Sequence, residues 1–191
     1  MKQLTLGILA LLIVVHSVTA TSVLEPTLDE LVSRAEQIFV GRVVAVRSNV
    51  VTSRVGRSIV TDVTFAIERT LKGSTYAERS LEFLGGTVGD ETLRVAGMPM
   101  FRVGDRDVLF VSEAGRPVSP IVGFMYGRFR ITRDAGRGVD VVRTHDGRPL
   151  TTLADIGSQR LPAAIGPAQS LPLAGFLGEI ERRVRALEPQ R

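Results

Sequence analysis

The alternation of apolar and polar residues along the chain is most regular over residues 59–71, where most alternate positions are apolar or β-branched. A period of two over this length predicts a β-strand with one buried face. Residues 38–47 are rich in β-branched side chains and predict another strand, in which Gly41 predicts a bulge or bend. Shorter strands are predicted at 81–84, 93–95, 108–111, 121–131 and 139–143. Glycine-containing turns separate several of them, so the pattern predicts a mainly β fold, a small OB-like barrel or sandwich.

Helical spacing occurs at both ends of this β region. Thr27 is the expected N-cap of a short helix, and Glu30, three residues later, completes a capping box. A second apolar stripe at helical spacing predicts an amphipathic C-terminal helix over residues 173–188. Its apolar positions are Leu173, Phe176, Leu177, Ile180, Val184 and Leu187. We favour packing of this helix on the β domain, and contact with a membrane or a partner remains the alternative.

The first twenty residues have the layout of a secretory signal peptide. Lys2 precedes an apolar run, and the segment ends in Val18-Thr19-Ala20, with small residues at the positions that signal peptidase recognises. The apolar run is shorter than the roughly 20 residues needed to span a bilayer. We therefore predict cleavage after Ala20 and a secreted or periplasmic protein. No cysteine follows the signal, so we expect no lipoprotein anchor.

The length after the signal suits one domain with an appendage. We assign residues 1–20 to the signal peptide, 21–155 to the β domain and 173–188 to the terminal helix. Residues 156–172 contain several prolines and glycines and few charges, which is typical of a linker with few core contacts.

Composition excludes several classes of protein. The chain contains no cysteine, so it has no disulfides, thiol chemistry or cysteine metal sites. The 24 basic residues are nearly balanced by 20 acidic ones. Because arginines are scattered among acids, this balance indicates a solvated surface rather than a nucleic-acid site.

Residues that could carry out catalysis are sparse. After the signal peptide the sole imidazole is His145, in a predicted exposed turn beside Asp146. Asp105 and Asp107 lack the further ligands of a calcium loop, and we interpret them as turn residues. The glycines at 85–89 lack the lysine or helix start of a phosphate loop. We predict no catalytic residue, metal site or cofactor.

Three segments resemble a known group of proteins: 33–43 (SRAEQIFVGRV), 63–67 (VTFAI) and 71–73 (LKG). They resemble exported bacterial proteins of unknown function with an OB-fold barrel like that of the netrin and tissue metalloproteinase-inhibitor group. The resemblance implies a five-stranded barrel with flanking helices and a binding or inhibitory role. The resemblance does not imply protease inhibition. The inhibitors of that group bind the zinc of their target through an N-terminal cysteine, whereas the mature chain here would begin at Thr21.

The predicted strand 121–131 offers a candidate binding face. If its alternate residues such as Phe129 and Ile131 face the interior, Phe124, Tyr126, Arg128 and Arg130 face outward. Aromatic and arginine side chains are enriched where binding energy concentrates, although arginine stems also cover apolar surface for structural reasons.

These observations favour a non-catalytic module that binds a protein or an envelope component. Two alternatives remain. One is an envelope hydrolase that uses carboxylates, since paired acids need only be near in space. The other is an envelope structural protein whose C-terminal helix contacts the membrane.

The signal motif leads to a direct prediction about the exported protein. Because signal peptidase cleaves after small residues such as Ala20, the exported chain should begin at Thr21. Intact-mass measurement of protein recovered outside the cytoplasm tests this prediction, with cytoplasmic precursor as the reference. A mass that still includes residues 1–20 would contradict it.

Overall fold

The computed structural model describes residues 25–54, 56–112, 119–157 and 169–187. The predicted signal peptide and residues 158–168 of the predicted linker lie outside these ranges. The helices are α1 (Leu28–Arg34) and α2 (Leu173–Leu187), and a 3-10 turn spans Leu153–Asp155. The strands are β1 (Gln37–Ser53), β2 (Gly56–Lys72), β3 (Glu78–Leu84), β4 (Gly86–Val88), β5 (Glu91–Leu93), β6 (Arg106–Val111), β7 (Arg128–Asp134) and β8 (Val139–Arg143).

Six strands form one antiparallel sheet in the order β3-β2-β1-β6-β7-β8, and β4 and β5 form a separate hairpin. The mainly β class and the two terminal helices are therefore confirmed. The sheet is open, so a closed barrel does not form within the described residues. Its edge strand β8 is covered by chain segments instead, through bridges from Val141 to Pro172 and from Arg143 to Pro149. These segments occupy the edge that closure would have paired with β3.

The start of α1 is as predicted. The backbone N–H of Glu30 donates to the Thr27 hydroxyl at 3.3 Å, and the backbone N–H of Thr27 donates to the Glu30 carboxylate at 2.7 Å. These bonds to Thr27 lower the pKa of Glu30. The reciprocal bonds fix the first turn, which directs Leu31 and Val32 into the core.

A long hairpin of β1 and β2 forms the centre of the fold. Its register runs from Ile38 opposite Lys72 to Ser53 opposite Gly56, with an irregularity between Val40 and Gly41 as predicted. Both strands extend further than the hydrophobic pattern indicated. The added residues near the turn are mostly exposed, so backbone pairing rather than core packing holds them in strand conformation.

Both faces of the sheet are covered by apolar side chains. The helix side is packed by residues of α1, α2 and the facing strands, including Leu31, Val40, Phe110, Phe129, Leu150, Phe176 and Ile180. The opposite side is packed by a second cluster that includes Phe39, Val43, Val63, Phe65, Leu81, Phe83, Phe101 and Leu109. Strand β3 is the exception on the helix side, because its Ser80 and Glu82 are exposed while Leu81 and Phe83 are buried in the second cluster.

Helix α2 packs on the sheet and contributes to the main core. Phe176, Leu177 and Ile180 are buried, and the rings of Phe129 and Phe176 lie 4.9 Å apart. The chain leading into α2 is also bound to the sheet, because the N–H of Leu171 donates to the Leu150 carbonyl at 2.7 Å. The helix therefore packs as we favoured, whereas the expectation that residues 156–172 make few core contacts is wrong at Ile156 and Leu171, which pack against the same core. Among the described helices none is both long and apolar enough to cross a bilayer.

Two strand predictions also need correction. Strand β7 begins at Arg128, and residues 122–127 form turns in which both Gly123 and Phe124 have positive φ angles near 70°. The predicted strand at 93–95 is instead β5, which pairs with β4 just after Gly85. At 122–127, turn geometry rather than alternation determined the path of the chain.

The burial of α2 predicts the effect of shortening the chain. A mature chain that ends at Gly157 should lose cooperative thermal unfolding, because the helix-side core would be left open to water. The single variant Phe176→Ala should lower the free energy of unfolding by about 3–5 kcal/mol. Arg182→Ala, at an exposed position of the same helix, should change it by less than about 0.5 kcal/mol. Urea denaturation measures both, and equal stability of the two variants would contradict the assignment.

Candidate functional site

A cleft of about 570 Å³ lies on the face of the sheet opposite the helices. Strands β1, β2 and β3 form its wall. The chain from 84 to 101 lies over it, and we call this segment the cover. The lining residues are Val46, Ser48, Thr61, Val63, Phe83, Leu84, Gly85, Gly86, Thr87, Thr92, Leu93, Arg94, Val95, Met98, Pro99, Met100 and Phe101. Its volume lies within the range typical of small-molecule sites.

The hydroxyl groups on the wall of the cleft are already hydrogen-bonded. Ser48 and Thr61 share a hydrogen bond of 2.9 Å, and the Thr61 hydroxyl lies 2.6 Å from the Gly85 carbonyl. Gly86 rests directly on this pair, because a Cβ there would lie 2.3 Å from the Thr61 oxygen. Its φ of 139° also disfavours other residues. The surface that remains for a ligand is therefore mainly apolar.

Phe101 anchors the cover to the sheet. Its ring lies 5.3 Å from that of Phe65 and 5.0 Å from that of Phe83, and it is buried in the second cluster. Met98 packs against the same cluster, whereas the neighbouring Met100 is 84% exposed at the rim. One end of the cover is thus fixed by aromatic packing, and the rim presents a flexible apolar side chain.

Ionisable groups are scarce around the cleft. The described lining residues include no carboxylate, histidine or lysine, and the charged group among them is Arg94. Acid–base and nucleophilic catalysis need a proton acceptor within hydrogen-bond reach of the reacting group. The described lining residues supply none.

The predicted binding residue Arg128 is not on the surface. It is 3% exposed, and its Nε and Nη2 donate to the carboxylate of the fully buried Asp107 at 2.8 and 3.1 Å. Its Nη1 donates to the Met100 carbonyl at 2.7 Å, and Nη2 also donates to the Asp105 carboxylate at 3.3 Å. The guanidinium also lies 4.0 Å from the centroid of the Phe101 ring. Arg128 therefore ties the cover to the sheet, and its assignment to the outer face is wrong.

Asp107 and Asp105 have different roles. Asp107 is a residue of β6 rather than a turn, and burial raises its pKa while the Arg128 charge opposes the rise. Asp105 accepts a hydrogen bond from the backbone N–H of Arg102 at 3.0 Å, as expected of a turn residue. Their carboxylates are bridged by one buried guanidinium, which leaves Asp107 inaccessible to a substrate.

The other three predicted binding residues do not form one stripe. Phe124 lies in the turn, where its ring approaches Gly97 of the cover. Tyr126 packs edge-on against His145 with ring centroids 5.3 Å apart. Arg130 lies in β7, opposite Arg143 of β8. Residues 122–127 are turns, so strand alternation cannot place Phe124 and Tyr126 beside the arginines.

His145 occupies the predicted turn but is partly buried. Burial against neighbours such as Tyr126 lowers its pKa, and the Asp146 carboxylate acts in the opposite direction. Its turn is bound together by Asp146, whose carboxylate accepts from Arg148 at 2.7 Å. His145 is therefore held in this turn, where its ring packs against that of Tyr126.

Comparisons with known proteins give no further assignment. The chain matches no protein-family model, and neither curated proteins nor solved structures show significant similarity to it. The described residues also contain no cluster of three or more histidine, cysteine or acidic side chains arranged to hold a metal ion.

Sequence reasoning missed the cleft. Its lining comes from strands and loops that are far apart in the chain, and no local periodicity connects them. One signal was present: the apolar residues Met98, Pro99 and Phe101 lie in a stretch with no strand pattern. In the structure Met98 and Phe101 of this stretch pack against the second cluster and cover the sheet.

The burial of Arg128 predicts a large cost for its removal. Arg128→Met should lower the free energy of unfolding by about 3–5 kcal/mol, because the Asp107 carboxylate would remain buried without its partner. The double variant Arg128→Met with Asp107→Leu should recover part of that loss. Arg133→Met, at an exposed position of the same strand, is the control. A small effect of Arg128→Met on urea denaturation would contradict this account.

Proposed function

We propose that the chain is an exported, non-catalytic binding module that holds an amphiphile of the cell envelope in the cleft. The observation that carries the proposal is the composition of the cleft, which combines apolar walls with an absence of acid–base groups among its described lining residues. Its wall hydroxyls bond to one another or to a carbonyl. The export part of the proposal is supported by the signal motif at residues 1–20.

Charge complementarity favours an amphiphile with an anionic head. Arg94 lines the cleft and is exposed, and it forms no hydrogen bond or ion pair with another residue in the described ranges. An apolar chain can lie against Val46, Val63 and Phe83 while its head pairs with this guanidinium. Arg94 would then orient the bound ligand and take no part in a reaction.

The structure weakens the two alternatives. A carboxylate hydrolase that used the closely spaced Asp105 and Asp107 would need both acids accessible, but they are joined through Arg128, and Asp107 is fully buried. A membrane-contacting C-terminal helix needs a free apolar face, but Phe176, Leu177 and Ile180 are packed in the core. Both observations favour binding in the cleft.

The resemblance to the netrin and tissue metalloproteinase-inhibitor group is retained as part of this proposal. Its support is the N-terminal helix followed by the long β1–β2 hairpin that ends at Lys72. The open sheet departs from the barrel of that group. We carry over only a binding role, because a fold does not determine a function.

A matched pair of variants tests the cleft. Val46 and Val50 lie on the same strand, with exposed fractions of 36% and 37%, but only Val46 lines the cleft. N-phenyl-1-naphthylamine fluorescence, with displacement by dodecanoate, measures binding to the mature chain. Val46→Glu should weaken binding of this neutral fluorophore about tenfold, or about 1.4 kcal/mol, whereas Val50→Glu should change it less than about twofold. Equal effects, or no saturable binding by the natively folded chain, would overturn the proposal.

The role of Arg94 is tested with two ligands of equal chain length. Arg94→Gln should weaken displacement by dodecanoate while leaving displacement by dodecanol unchanged, since the alcohol lacks the charge. An equal effect on both ligands would show that Arg94 does not select the head group.

A further inference from the structure

Two arginines face each other across the edge of the sheet. Arg130 of β7 and Arg143 of β8 are directly opposite in the antiparallel register, so their side chains project from the same face. Like charges in this position destabilise a strand pair. A group of opposite charge between them would remove that repulsion.

Both guanidinium groups converge on the turn that follows β8. Arg143 donates from Nη1 to the Gly147 carbonyl at 3.0 Å and from Nε to the Thr132 hydroxyl at 3.2 Å. The Nη1 of Arg130 lies 3.5 Å from the position that a Cβ on Gly147 would take. The absence of a side chain at Gly147 thus leaves space beside the Arg130 guanidinium.

Nearby carboxylates are bonded to other arginines. Asp107 lies opposite Arg130 on β6, but Arg128 donates to both of its oxygens. Asp105 also accepts from Arg128, and Asp146 pairs with Arg148. Arg130 itself has no hydrogen bond or ion pair to another residue in the described parts of the chain. The charges in this region do not balance. Its three aspartates, at 105, 107 and 146, face four arginines, at 128, 130, 143 and 148. An excess positive charge is therefore left at Arg130 and Arg143.

We propose that Arg130 and Arg143 form a binding site for a phosphate group beside Gly147. A guanidinium presents paired N–H donors that match phosphate oxygens, and two converging guanidinium groups can contact one such anion. Arg143 is held in place by Thr132 and Gly147, while Arg130 offers its unpaired donors. This site is separate from the cleft, and it stands whether or not the cleft binds an amphiphile.

Isothermal titration calorimetry of the mature chain with sodium phosphate tests the site, with sodium chloride of equal ionic strength as the blank. We expect saturable binding that Arg130→Gln weakens about tenfold. Arg133→Gln, at an exposed position of the same strand whose side chain pairs with Asp140, should change the affinity less than about twofold. Arg130→Lys keeps the charge and loses the paired donors, so its affinity should lie between those of the wild type and Arg130→Gln.

A second experiment separates a free phosphate from a lipid phosphate. The same proteins are sedimented with vesicles of phosphatidic acid and, as a neutral control, with vesicles of phosphatidylcholine. Selective loss of binding by Arg130→Gln in either the calorimetric or the vesicle experiment supports the site, and the experiment that shows it identifies the source. The proposal is overturned if Arg130→Gln leaves binding unchanged in both experiments, or if Arg133→Gln weakens binding as much as Arg130→Gln does. Melting temperatures confirm that each variant remains folded.

Discussion

The buried pair of Arg128 and Asp107 is the interaction on which the cleft depends. One guanidinium bonds to a strand carboxylate, a cover carbonyl and an aromatic ring of the same cover. Because a buried charge is costly without a full set of partners, the segment that supplies the Met100 carbonyl is held in a defined position. The cavity is thus a product of polar bonding at one end and aromatic packing through Phe101.

The two faces of the sheet are covered by different means. Helices cover one face with regular apolar stripes, which bury Leu31, Phe176 and Ile180. The β4–β5 hairpin and the irregular chain that follows it cover the other face, and Met100 of this segment is 84% exposed. The cleft lies where this cover passes over β1 and β2. The cleft on this face therefore reflects the kind of segment that covers it.

Much of the fold was predictable from local signals. The capping box at Thr27 and the strand at β8 were identified correctly, because hydrogen-bonding side chains and alternation act over a few residues. The burial of Arg128 was not predictable, since alternation reveals which residues share a face but not what covers that face. The turn at Phe124 was missed for another reason: a positive φ at a residue other than glycine carries no sequence signal.

The order of α2 after all eight described strands affects when the sheet can fold stably. The core on the helix side of the sheet is complete only when Phe176 and Ile180 pack against it, and these residues are synthesised after the strands that they cover. A growing chain therefore lacks part of this core until α2 has emerged, which delays stable folding. If the protein crosses a membrane as an unfolded polypeptide, this order favours translocation of the strands first and stable folding only after α2 has joined them.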